Sequence, residues 1–259
     1  MMRKKPKLAY PGSTKPIDYS KPTFIQQKLD GVRCLIQSED FQHHGKVIKA
    51  YSRTGKEWKN IRHILEQLKP FFQKHPNVIL DGELYNHDLR DNFEKIISLV
   101  RKTKPTTEDR VEASKLTQFH CYDVMLERKE LDFDTRNEWI NNNVPKSYCI
   151  KHVLTHLVFR EDDAKVYHQR NLNKGYEGSI VRLNYKYENK RSHNLRKFKD
   201  FSDAEAVIVG YEEGKGKREG TLGKFMMQDE DGNKFGCPPG KGYNYQDMRD
   251  MLNNIHEYM

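Results

Sequence analysis

Phe24-Ile25-Gln26-Gln27-Lys28-Leu29-Asp30-Gly31-Val32-Arg33-Cys34-Leu35-Ile36-Gln37 is the stretch whose reading decides the fold. An Asp-Gly pair between alternating apolar runs predicts a two-residue hairpin turn, because a type I′ turn needs positive φ at both central positions. In that register Leu29 faces Val32 and Lys28 faces Arg33. Two cations directly opposite each other cost a sheet stability, so folding alone gains nothing from the placement. A guanidinium keeps its proton, disfavours the ammonium beside it, and so moves a lysine toward nucleophilic use near neutral pH. A hairpin with two solvated cations on its outer face explains the isolated K-x-D-G-x-R pattern equally well, and the rest of the chain has to decide.

The 259 residues, 36% of them hydrophobic, suffice for one large domain or two unequal ones. A formal net charge of +9 fits a polyanionic partner such as nucleic acid, with a solvated lysine-rich surface as the plainer alternative. Cys34, Cys121, Cys149 and Cys237 are scattered, with no C-x-x-C pair and no His at ligand spacing. That predicts reduced, mostly structural thiols and no structural zinc. No apolar run reaches membrane-spanning length, and Met1 to Pro6 lacks a secretory apolar segment, so an intracellular protein without a membrane partner is expected.

Working outward, residues 1 to 23 read as an extended arm. Strands are expected over Lys46–Arg53, Asn77–Tyr85 and Phe119–Leu126, with helices over Ile61–Phe72 and Phe93–Val100 and a polar loop through about Lys115. Glu138–Asn143 reads as the end of a short helix, Ile150–Phe159 as a strand, Glu161–Asn173 as a helix stopped by Gly175, and Tyr176–Leu183 as a strand leading into the very basic segment Lys186–Lys199. From Asp203 the pattern changes to strands with glycine turns, over Ala204–Tyr211, Gly223–Gln228 and Asn233–Cys237. A helix over Tyr245–Tyr258 follows, with Met248, Met251, Leu252 and Ile255 on one face. Such a segment suits a small β-barrel of the OB type.

Five segments in order, Lys28-Leu-Asp-Gly-Val-Arg33, Ser52-Arg53-Thr-Gly55, Asp81-Gly-Glu83-Leu, Glu177-Gly-Ser-Ile-Val-Arg182 and Leu195-Arg-Lys197-Phe-Lys199, resemble the motifs of ATP-dependent DNA ligases. These belong to the covalent nucleotidyltransferase superfamily, which also holds RNA ligases and mRNA capping enzymes. The resemblance spans about residues 24 to 240. It implies an α+β protein of the minimal viral or phage type. Residues 1–202 would form a nucleotidyltransferase (adenylation) domain of two antiparallel sheets with flanking helices, and residues 203–259 a small, incomplete OB-fold barrel. It further implies ATP and Mg²⁺ as cofactors, with Mn²⁺ able to substitute, and nicked double-stranded DNA as the partner of a monomer. Lysine would attack the α-phosphate of ATP, AMP would pass to the 5′-phosphate of a nick, and the 3′-hydroxyl would displace AMP.

By motif, Lys28 would become adenylated, while Asp30 and Arg33 would help place the ribose and the nick ends. Arg53 would meet the 5′-phosphate, Glu83 would hold the ribose, and Tyr122 would stack on adenine. Lys197 and Lys199 would neutralise the α-phosphate, and Gln26 joins the nucleotide-binding set. Chemistry agrees, since attack on an anionic phosphate needs cations on its oxygens and carboxylates for a metal, which Glu177, Glu83 and Asp30 offer. A strand over Leu195–Lys199 would put Lys197 and Lys199 on one face. Arg53, Arg182, Lys186, Arg191, Lys215, Lys217 and Arg218 are expected on DNA, holding its backbone without reading bases.

The family's last motif, a basic strand that orients the pyrophosphate leaving group, has no counterpart before Met259. Lysine adenylation is therefore the step expected to suffer. The alternatives to a nick-sealing ligase are a truncated or adenylation-defective ligase acting mainly as a nick-binding protein, and an RNA ligase or capping enzyme.

Overall fold

The computed structural model describes residues 8–10, 16–41, 45–198, 206–240 and 242–259. The chain divides into two compact units, Met1–Asp200 and Phe201–Met259. Lys199, the strand start at Ala204 and the change of pattern at residues 202 and 203 lie outside the described residues.

The first unit holds two five-stranded sheets. Its strands are β1 (Leu8–Tyr10), β2 (Thr23–Gln27), β3 (Val32–Phe41), β4 (Gly45–Tyr51), β5 (Ile79–Tyr85), β6 (Gln118–Met125), β7 (Ile150–His152), β8 (Thr155–Val158), β9 (Ser179–Leu183) and β10 (Arg191–Phe198). One sheet runs β1-β10-β9-β2-β8 and the other β4-β3-β5-β6-β7. Both are antiparallel except for the parallel pairs β1 with β10 and β6 with β7. Helices α1 (Arg62–Gln67), α2 (Lys69–Lys74), α3 (Phe93–Val100), α4 (Thr107–Leu116) and α5 (Phe133–Asn143) flank the second sheet, and α6 (Glu161–Asn173) covers the first. The larger core joins Ile36, Leu80 and Val124 of the second sheet to Ile64, Leu68 and Ile96. A smaller one packs Ile25 and Val181 against Ala164 of α6.

The expected Asp-Gly hairpin does not form. β2 and β3 belong to different sheets, and Lys28 to Gly31 is the crossing between them. Lys28 instead extends the antiparallel pairing of β2 with β9, its N–H donating to the Gly178 carbonyl at 2.9 Å. Nor is Gly31 one of the glycines with positive φ. It is there for closeness: a Cβ would lie 2.5 Å from the Leu84 carbonyl oxygen and 2.7 Å from Glu83 Cγ. The local signal was real, but continued pairing of β2 with β9 prevailed over a two-residue turn.

Three other expectations are corrected. Ile61–Phe72 is two short helices, because Pro70 in the first turn of α2 lacks the N–H that would continue α1. The loop expected before Lys115 is α4, started by a capping box in which Thr106 and Asp109 serve each other's backbone. It buries Ala113 and shows no apolar stripe to read. The strand expected over Ile150–Phe159 breaks after His152 and changes sheets, β7 pairing with β6 and β8 with β2.

The second unit pairs β11 (Ala206–Glu213), β12 (Leu222–Asp229) and β13 (Lys234–Cys237) antiparallel, followed by α7 (Tyr245–Asn253). No closed barrel is present among its described residues. Asn244 caps α7 through a capping box with Asp247, and Tyr258 packs its ring on Phe225 at 5.7 Å.

Both Gly31→Ala and Gly31→Asn are expected to cost about 2–3 kcal/mol of stability by forcing a side chain into packed backbone, measured as a shift of the urea midpoint. A type I′ turn would leave Gly31→Asn close to wild type, since Asn tolerates the left-handed region.

Candidate active site

A cleft of about 730 Å³ in the first unit is walled by both sheets. The first sheet presents alternate residues to it: Gln26 and Lys28 from β2 and its extension, Ile180 and Arg182 from β9, Leu195 and Lys197 from β10. The rows follow from register, since Gln26 pairs with Ile180 and Ile180 with Lys197. The same ladder sets Lys28 opposite Gly178, so its ammonium meets the neighbouring Glu177 carboxylate as an ion pair. With their side chains 13% and 24% exposed, the two are largely shielded from water, and the pair is screened less than a surface one.

The second sheet supplies the floor. Arg33 and Glu83 are cross-strand partners on β3 and β5. The Arg33 guanidinium grips Asp81 with both arms, Nε to Oδ1 at 2.9 Å and Nη2 to Oδ2 at 2.5 Å, and Tyr187 donates its hydroxyl to the same carboxylate at 2.5 Å. The charge of Arg33 is therefore met by Asp81, and Lys28 is met by Glu177, where the hairpin reading set the two cations face to face.

Between the pairs Asp81–Asp123 and Gly82–Cys121 the register of β5 and β6 shifts by one residue, and Tyr122 is the extra one. Bulges of this kind re-aim side chains beside functional sites. Here Tyr122 lines the cleft and donates its hydroxyl to Glu83 at 3.2 Å, with the guanidinium carbons of Arg33 and Arg182 each 5.3 Å from its ring centre.

Asp123 sits opposite Asp81, fully buried, which two like charges tolerate only with cations around them. Arg136 of α5 supplies a two-armed grip at 2.8 and 3.1 Å, and Arg182 adds a bond at 2.8 Å. Burial would raise the Asp123 carboxyl, but the two guanidiniums hold it below the ordinary value. For Asp81 burial prevails over Arg33 and Tyr187, and its carboxyl lies above that range. Glu83 is pushed up to about 8, by burial first and then by Asp81 and Asp30, against the pull of Arg33 and Tyr122.

Of the residues expected to work together, Lys28, Arg33, Arg53, Glu83, Tyr122, Arg182, Arg191, Lys197 and Gln26 line this cleft. Arg53 is exposed in the turn closed by Gly55 N–H to the Ser52 carbonyl, and Arg191 donates to the Ala9 carbonyl. Asp30 is exposed at the rim beside the lining residues Leu29 and Gly31. Lys186 is exposed after β9, and Lys215, Lys217 and Arg218 are exposed in the second unit.

Arg182, expected on DNA, is 5% exposed, and its guanidinium bonds Asp123 and Gln26 Oε1, the latter at 2.5 Å. The Gln26 amide donates in turn to Thr155 at 2.8 Å. Sequence reasoning missed Arg136, which belongs to none of the motifs, and Tyr187, which lies between two of them, and gave no part to Asp81 or Asp123. A charged residue beside an apolar run, Val78-Ile-Leu before Asp81 and Val124-Met after Asp123, was the available signal for both aspartates.

Among the described residues no three His, Cys, Asp or Glu side chains gather as a metal cage. Asp30 and Glu177, and Glu83 once ionised, offer oxygen donors of the kind that suits Mg²⁺, which commonly takes one or two carboxylates and completes its shell with substrate phosphate and water. Cys34, Cys121 and Cys149 are buried free thiols, and Cys237 is an exposed one.

The profile of the ATP dependent DNA ligase domain matches residues 8–199. The DNA ligase of African swine fever virus is 30% identical over 228 residues, which cover 84% of this chain and 49% of the viral protein. That of Enterobacteria phage T6 is 25% identical over 250 residues, covering 82% and 51%. The chain thus spans about half the length of the curated relatives it matches. Among solved structures, a Lig E DNA ligase studied for DNA binding with a minimal scaffold superposes with a TM-score of 0.74 at 21% identity, over 96% of this chain and 88% of that one. Chlorella virus DNA ligase–adenylate gives 0.56 at 19% identity, over 98% and 91%. At such identities these likenesses speak for the fold.

The Glu83 shift has a definite sign. Between its ordinary value of 4.5 and about 8 the folded protein holds a proton that the unfolded chain has released, so stability falls as pH rises through that window. Glu83→Gln, which cannot titrate, is expected to gain on wild type by on the order of 4 kcal/mol between pH 5 and pH 8.5. Urea unfolding at both pH values checks this, and a constant difference contradicts it.

Proposed function

Because this chain belongs to the ATP-dependent DNA ligase family, we propose that it joins 5′-phosphate and 3′-hydroxyl ends at nicks in duplex DNA through a lysyl-AMP intermediate. The observation that carries the reading is Lys28, shielded in the cleft and paired with Glu177, with Lys197 and Arg53 lining the same cleft. In the first step a bond forms between Lys28 Nζ and the α-phosphorus of ATP as the bond to pyrophosphate breaks. Nζ must first lose a proton, and Glu177 Oε2, already its partner, is placed to hold it. Lys197 offsets charge on the α-phosphate, and Lys199 takes the same part by motif.

The adenylate then passes to a 5′-phosphate near Arg53, and the 3′-hydroxyl displaces AMP. Glu83, largely protonated near neutrality, can donate a hydrogen bond to a ribose hydroxyl, and Tyr122 offers adenine a ring already steadied by two guanidiniums. When bound, Mg²⁺, or Mn²⁺ in its place, would be held by Glu177 and Asp30, with Glu83 joining once its proton is lost, and would supply neutralising charge for the transferring phosphate. Exposed Lys186, Arg191, Lys215, Lys217 and Arg218 meet backbone phosphate. Such contacts ignore base sequence and weaken steeply with salt.

The partner in this reading is nicked double-stranded DNA and the working form a monomer, acting inside a cell in the setting of a virus or phage. No helix among the described residues is long and apolar enough to cross a membrane.

Incubation with α-labelled ATP and Mg²⁺ is expected to give a covalent protein label that Lys28→Ala abolishes, and Lys197→Ala is expected to slow labelling by about 10²-fold or more. Nicked DNA and pre-adenylated nicked DNA, offered separately, report the remaining steps. Labelling by GTP in place of ATP, or sealing of nicked RNA alone, would move the assignment to a capping enzyme or an RNA ligase. Absence of both label and sealing would overturn it.

A further inference from the structure

Glu177 stands between two residues in the left-handed region, Gly175 at φ 80° and Gly178 at φ 140°. Glycine leaves that backbone free to swing, so whatever holds the turn decides where the carboxylate sits. One set of contacts comes from α6. The Asn171 carbonyl accepts the Tyr176 N–H at 3.1 Å, and the Asn171 amide donates to Ser179 Oγ at 2.9 Å, with His168 Nδ1 3.1 Å from the same hydroxyl. These tie the turn to the helix that covers its own sheet.

The other set comes from the opposite sheet, through His87, two residues beyond the end of β5. Its ring stacks on Tyr176, centroids 4.3 Å apart and planes 27° from parallel. Its Nε2 lies 2.9 Å from the Lys174 carbonyl and its Nδ1 2.7 Å from the Tyr85 hydroxyl. A carbonyl can only accept, so Nε2 carries a proton, and in the neutral ring Nδ1 accepts from Tyr85. Tyr85 is also the residue whose Cβ would lie 3.2 Å from a Cβ on Gly31, so the latch and the crossing that follows Lys28 share one support.

We propose that His87 is a positioning residue: from the second sheet it latches the Lys174–Gly178 turn and thereby holds Glu177 against Lys28 across the cleft. It touches no reacting atom, and its effect reaches the chemistry through Glu177. Displacement of a group in such a site by an ångström is enough to cost up to about 10²-fold in rate. The proposal rests on lysine adenylation as the function, so its test includes a readout that needs no turnover.

That readout is the extent of reductive methylation of Lys28 by formaldehyde and borohydride in the absence of nucleotide, followed by peptide mass spectrometry. His87→Ala and Tyr176→Ala are expected to raise Lys28 methylation at least about 3-fold, because the amine is released from Glu177. Tyr176→Phe, which keeps the ring, should match wild type. At saturating ATP, His87→Ala is expected to slow Lys28 labelling by about 10- to 100-fold, with KM for ATP changed less than about 3-fold. His87→Gln, which keeps a donor toward Lys174, should recover part of the rate. Should wild type never label while His87→Ala still exposes Lys28 to methylation, the ligase reading fails and the latch stands. Equal methylation of Lys28 in wild type and His87→Ala overturns the latch, whatever the labelling rate.

Discussion

Two buried aspartates face each other across neighbouring strands, and the first unit is built around making that bearable. Asp81 and Asp123 are register partners at the centre of the second sheet. Left alone, two ionised carboxylates there would not fold. Arg33 answers one from the adjoining strand, Arg136 answers the other from a helix, and Arg182 reaches in from the first sheet. Each guanidinium thus fastens a different element to the same charge pair. Removing one partner of such a network leaves an uncompensated buried ion, which typically costs about 3–5 kcal/mol.

The same network prepares the cleft for a polyanion. With Glu83 holding its proton near neutrality, three guanidiniums stand against two aspartates, a formal excess of one positive charge beneath the floor. Lys197 and Arg53 add exposed charge where solvent can be displaced by phosphate. Lys28 is treated otherwise: it is tucked beside Glu177, so its charge is neutralised locally and its nitrogen is held at a fixed place. A floor of fixed cations and one shielded amine with a proton acceptor next to it is the division of labour that attack on a phosphate requires.

Relatively little of this is carried by short-range sequence signals. The Asp-Gly pair reads as a turn because local propensity knows nothing of a second sheet. Gly31 is required by the nearness of Leu84 and Glu83, residues more than fifty positions away. Likewise α4 was invisible because its stability comes from a cap and from Asn60, whose amide donates to the Asp109 and Leu99 carbonyls, and no apolar stripe marks it.

The sequence by itself determined the residue types and their spacing: a lysine two residues before Asp-Gly, a carboxylate after Asp-Gly at Glu83, lysines at the alternate positions 197 and 199, and from the order of the motifs the family. Period-two alternation and motif order are local properties, so they can be read without coordinates. Tertiary structure alone decided that Lys28 pairs with Glu177, that Arg182 is buried, and that Tyr122 turns into the cleft on a bulge. Those outcomes depend on strand register between segments up to about 150 residues apart and on how buried charges find partners. No local window holds that information, because the energy of a buried charge is set by whatever the fold brings beside it.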